Sequence, residues 1–160
     1  MKKPLRLLAL LGFYATMVLL FAVAKLCFVV AQPAAVRGEV SAAKRAQTVR
    51  HGSPLDLATA DYAAAPLWLL SALSEWMHIR GLQRVYRMYA ALLAALLAVI
   101  AVADTCLYGF WGIKLDGTVW NYLSQPGGAL ASVSMSYALT VTLTTVVAGV
   151  AVYYVLRYIV

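Results

Sequence analysis

An all-α, polytopic membrane fold is what this sequence predicts: a bundle of four transmembrane helices with short interfacial helices. Three observations predict it. The chain is 64% hydrophobic and only 12% charged, with a mean hydropathy of +0.82, a balance too apolar for a folded surface that faces water. The apolar residues gather into runs of about 20 or more, the length that bridges a bilayer's hydrocarbon core, and 160 residues leave room for four of them. The basic residues cluster at the flanks of those runs, as in the positive-inside pattern. The net charge of +7 is therefore membrane-surface charge, and the partners expected are the lipid bilayer and anionic lipid headgroups, with no nucleic acid.

The first helix is expected at about 5–31. It follows Lys2, Lys3 and Arg6, and it is longer than the roughly 7–15 apolar residues of a cleavable secretory segment. It reads as a retained signal-anchor with the N-terminus in the cytoplasm. Lys25 then lies about 9 Å from the outer end at about 1.5 Å per residue. Snorkelling to the headgroups is favoured there over a role inside the membrane.

Residues 32–54 form an outer loop that opens on Gln32-Pro33 and closes on Gly52-Ser53-Pro54, where turn-forming residues break the pattern. Within it, 39–50 suits a short basic helix carrying Lys44, Arg45 and Arg50. Two readings stand side by side: a helix lying on lipid phosphates, or a solvated connector. The second helix, 55–77, carries Asp56 and Asp61 at its outer end and Pro66 inside. Proline is tolerated in a membrane when neighbours serve the carbonyl it frees.

Residues 78–87 make the inner loop, where Arg80, Arg84 and Arg87 are the strongest cytoplasmic signal in the chain. The third helix, 88–108, sets Ala90, Ala94 and Ala98 at four-residue spacing, with Ala91 and Ala95 beside them, a ridge for close helix approach. The fourth, 130–157, aligns Ser132, Ser136, Thr140, Thr144 and Ala148. This stripe reads as helix packing, with hydroxyls bonded to their own helix, and not as a transport path. Tyr153, Tyr154, Arg157 and Tyr158 mark the inner interface.

The remaining outer loop, 109–129, belongs to the aromatic stretch 104–126, with Tyr108, Phe110, Trp111, Trp120 and Tyr122 around Lys114 and Asp116. Its rings suit the membrane interface, and Asp116 is placed to cap a short helix over 117–123. A ligand-binding aromatic patch would have the same composition. Cys27 and Cys106 fall near the outer ends of their helices, which makes them a candidate disulfide.

The order Asp104, Tyr108, Trp111, Lys114, Leu115, Asp116, Tyr122, Leu123, Pro126 resembles the outer loop of the lipoteichoic acid synthase, or phosphoglycerol transferase, family of membrane-anchored sulfatase-like enzymes. A second stretch, Gly52, Leu55, Asp56, Leu57, Tyr62 and Pro66, resembles the segment that opens the family's second helix. Pro54 stands where a basic residue is commoner. The resemblance implies a chain in the bacterial cytoplasmic (inner) membrane, followed in full-length members by a fifth helix and an extracytoplasmic α/β domain of the alkaline phosphatase superfamily. That domain, absent from these 160 residues, would supply the nucleophile and bind the divalent metal.

The expected function is thus the membrane anchor of a sulfatase-like phosphoglycerol transferase, with no catalytic residue and no cofactor in this chain. Its two histidines, His51 and His78, fall on opposite sides of the expected topology, so they cannot share a metal. Asp56, Asp104, Lys114, Asp116, Arg45 and Arg50 gather on the outer face, as candidates to dock the catalytic domain or hold a lipid headgroup. The plainer reading is that they cap helix ends in water. The alternatives are a stand-alone membrane scaffold or accessory protein and, less favoured because the acids lie near helix ends, a small transporter.

Overall fold

The structure, a computed structural model, describes residues 3–32, 41–76, 81–111, 117 and 134–159. Five helices account for the regular structure among them: α1 (Lys3–Ala31), α2 (Ala42–His51), α3 (Ser53–Trp76), α4 (Leu82–Trp111) and α5 (Met135–Ile159). Three contain segments long and apolar enough to cross a membrane, at Arg6–Ala31, Leu82–Cys106 and Met135–Ile159. The chain is a helical membrane protein with at least these three apolar helices. α3 has the length but is not among them, because Asp56, Asp61, Pro66, Ser71, Ser74 and Glu75 lower its hydropathy.

α1 and α3 pair along their lengths and antiparallel. Arg6 Nη1 donates to Ser74 Oγ at 3.2 Å near one end, and Lys25 forms an ion pair with Asp56 near the other. α4 and α5 pair the same way, with Ala98 against Gly149 and Cys106 beside Tyr137. α1 joins the two pairs. Gly12 lies against Ile159 of α5, and the rings of Phe28 and Tyr108 of α4 meet edge to face with centroids 5.1 Å apart. The shared core contains Phe13, Met17, Ala64, Leu67, Ala94 and Leu156. Large apolar side chains such as Leu8, Leu19, Leu69, Met88, Leu139 and Leu143 remain exposed, as they do where acyl chains are the solvent.

The predicted alanine ridge is one of the packing surfaces, since Ala90, Ala94 and Ala98 are all buried. The hydroxyl residues of the predicted stripe that are described on α5 are not, while Ala148 is half-buried and Ser132 lies outside the described residues. Ser136, Thr140 and Thr144 are exposed, and the threonine hydroxyls donate to Ser136 O and Thr140 O of their own helix. The packed face runs instead through Val141, Thr145, Gly149, Val152 and Leu156. Self-bonded hydroxyls need no neighbour, so apolar and small residues decide which side turns inward.

Several boundaries move. α4 begins at Leu82, inside the expected inner loop 78–87, right after Gly81 at φ 86°. A helix cannot continue back through that left-handed residue, while Gln83, Arg84 and Arg87 are good helix formers that extend it beyond the apolar run. At its other end α4 reaches Trp111, past the expected 108. α5 starts at Met135 where 130 was expected, and residues 130–133 lie outside the described residues. Near Pro66, Tyr89 of α4 donates its hydroxyl to Ala63 O at 2.8 Å, next to the Tyr62 carbonyl that a proline at 66 leaves without its usual partner.

Candidate functional site

The short basic helix exists as α2. Ser41 caps its N-terminus by accepting from Lys44 N at 3.4 Å, and Arg50 and His51 occupy its last turn, where positive charge meets the helix dipole favourably. The expected break at Gly52-Ser53-Pro54 shrinks to a single residue. Gly52 alone separates α2 from α3, its N–H donates to Thr48 O, and its carbonyl accepts from Asp56 N. Ser53 and Pro54 are already in α3, because the first-turn N–H groups of a helix have no partner within it and proline loses nothing there.

This joint is fastened to α1 through Lys25. Its ammonium pairs with Asp56 in the first turn of α3 and donates to Val49 O of α2 at 3.3 Å. One side chain of α1 thereby holds both helices. The Lys25 and Asp56 side chains are 19% and 15% exposed, between a surface pair of small net worth and a buried one that is costly to break. Gly52 makes room for the ammonium, since a β-carbon there would stand 2.6 Å from Lys25 Nζ.

Of the residues singled out from the sequence, the structure brings Asp56 onto Lys25 and sets Arg45 and Arg50 on the helix that Lys25 anchors. Arg45 is half-buried and Arg50 exposed. Asp104 is half-buried in α4, one turn before the Tyr108 ring that meets Phe28. Lys114 and Asp116, with the short helix expected over 117–123, lie outside the described residues except for Gly117. Cys27 and Cys106 are both free thiols, Cys27 exposed. Among the described residues no group of three His, Cys, Asp or Glu is placed to hold a metal.

The Lys25–Asp56 pairing was missed as a pair, although each residue stood out alone. Its signal was present: a lysine about one and a half turns from the end of an apolar helix, and an acid just inside the start of the next one. The role of Gly52 had no such signal, because the approach it permits depends on how two helices cross.

No family model, curated protein or solved structure matches this chain.

Proposed function

We propose that the chain is the membrane-anchoring part of a sulfatase-like phosphoglycerol transferase, holding an extracytoplasmic catalytic domain at the membrane and presenting basic side chains to a lipid headgroup. The observation that carries this reading is the fastening of α2. Lys25 fixes its carboxy-terminal end to α1 and α3, so Lys44, Arg45 and Arg50 are presented from a held helix at the bundle's end. Basic side chains held at the headgroup level attract lipid phosphate. The stretches around Asp56 and Asp104 that resemble the enzyme family support the same reading.

Four crossings, with the N-terminus in the bacterial cytoplasm, belong to this proposal. Arg6 and Lys25 are about 28 Å apart along α1 at about 1.5 Å per residue, and each contacts α3. That separation is close to the ~30 Å thickness of a hydrocarbon core, so α3 accompanies α1 from one interface to the other. Asp56 and Ser74, near its two ends, are paired with Lys25 and Arg6 of α1. A fluorescent reporter fused after Val160 is expected to light up in the cytoplasm; activity only of a reporter that requires export would remove the fourth crossing.

The functional test is to read the coding DNA past codon 160 and size the product on a blot of the membrane fraction. An in-frame, or recently disrupted, metal-binding sulfatase-like domain supports the anchor. A stop with a stable product of 17.3 kDa, and no such domain encoded nearby, would replace it by a stand-alone membrane scaffold.

A further inference from the structure

At the end of the bundle opposite Lys25, a cleft of about 400 Å³ opens between α1, α3 and α4. Ala9, Leu10 and Leu82 with the buried Phe13 and Leu67 supply its apolar lining, and Arg6 belongs to the lining as well. Among the described residues, Gln83, Tyr86 and Ser71 supply the remaining polar surface, and no carboxylate is in the lining. The Arg6 guanidinium donates one hydrogen bond, from Nη1 to Ser74 Oγ, which steadies the group, and pairs with no acid among the described residues.

An apolar trough with a fixed guanidinium beside it suits an amphiphile whose anionic group carries two or more oxygens, because the planar fork of arginine binds phosphate through paired N–H donors. Size agrees, since ligand cavities run about 300–1,000 Å³. The surroundings select the source. Leu7, Leu8 and Leu11, next to Arg6 and Ala9 on α1, are exposed, so the cleft lies beside acyl chains. Free phosphate would gain nothing from its apolar side. Arg84 and Arg87, exposed in the first turns of α4, add positive charge near the same rim, which favours an anionic lipid over a zwitterionic one.

We propose that this cleft holds one anionic phospholipid, its phosphate on Arg6 and one acyl chain along Ala9, Leu10 and Leu82. The site is separate from the α2 joint and does not depend on the function proposed above.

The test is to reconstitute the full chain in nanodiscs of phosphatidylcholine with one tenth phosphatidylglycerol and count the lipids retained by native mass spectrometry. The wild type is expected to retain about one phosphatidylglycerol per chain, well above its share of the bilayer. Arg6→Gln should lower that at least fivefold, and Arg6→Lys should restore part of it. Ala9→Trp, which fills the trough and leaves Arg6 in place, should lower it as far as Arg6→Gln. Inorganic phosphate at millimolar concentration should not displace the lipid. No enrichment in the wild type would overturn the site. So would unchanged retention in Ala9→Trp, which would reduce Arg6 to a surface charge, or displacement by phosphate, which would make the ligand a free anion.

Discussion

Removing either charge of the Lys25–Asp56 pair should release α2 from the bundle, and the size of the effect follows from its surroundings. At an ordinary ion-pair separation of about 4 Å and an effective dielectric constant near 20, the attraction is about 4 kcal/mol. Desolvating and ordering two side chains that keep 19% and 15% exposure offsets about half of that. A coupling of about 2 kcal/mol remains, or about 30-fold in an equilibrium constant. Lys25 also donates to Val49 O, so Lys25→Met loses one more hydrogen bond, about 1 kcal/mol, than Asp56→Asn does.

The assay is amide hydrogen exchange of the full chain in nanodiscs, read over residues 45–53, where local opening sets the rate. Asp56→Asn should accelerate exchange there by about 30-fold and Lys25→Met by more. The double variant should be little worse than Lys25→Met alone, because the second change removes a partner already lost. Two single effects that simply add, with a coupling under about 0.5 kcal/mol, would refute the idea that this pair holds the joint.

Three further outcomes follow from the same packing. Gly52 sits at φ −83°, which alanine adopts without strain, so Gly52→Ala would ordinarily stabilise by about 0.4–1 kcal/mol; the crowding of Lys25 Nζ should turn it destabilising in the wild type and leave it stabilising beside Lys25→Met, as read by the same exchange measurement. At Gly149 a β-carbon would stand 3.5 Å from Ala98 Cβ, an ordinary contact, so Gly149→Ala should be tolerated. Gly149→Leu should cost about 1–3 kcal/mol by overpacking the α4–α5 seam, seen as a lower midpoint in thermal unfolding in detergent. Tyr89→Phe removes the hydroxyl that serves Ala63 O and should cost about 1 kcal/mol by the same thermal measurement.

What the sequence could and could not tell divides along a physical line. Helix existence was legible because apolar runs of bilayer length have few alternatives in lipid, and the alanine ridge was legible because four-residue spacing puts small residues on one face. The inward face of α5 was not. Its hydroxyl stripe and its packed face have the same periodicity, and choosing between them needs the neighbour that Gly149 meets. The edge of the apolar run predicts a start of α4 at 88, whereas the helix begins right after Gly81, where the backbone and not the solvent sets the limit. At the candidate site Lys25, Asp56, Arg45 and Arg50 could be named singly, but their assembly depends on the one-residue joint at Gly52.

That joint accounts for how so polar a helix as α3 can lie along so apolar a one as α1. A carboxylate in the first turn of a helix is costly to carry towards the hydrocarbon region unless a cation meets it. Asp56 is met by the ammonium of Lys25. At the far end Ser74 meets Arg6, and beside Pro66 the hydroxyl of Tyr89 reaches the backbone. Asp56 and Ser74, two of the polar residues that would weaken α3 as a lone membrane segment, thus have partners on α1. Hydropathy averaged along α3 alone registers the cost of those residues and none of the compensation, since the compensation belongs to the pair of helices. On the four-crossing reading, α3 enters the bilayer as part of a hairpin with α1, and the basic helix α2 is held at the hairpin's turn because Lys25 serves Asp56 and Val49 together.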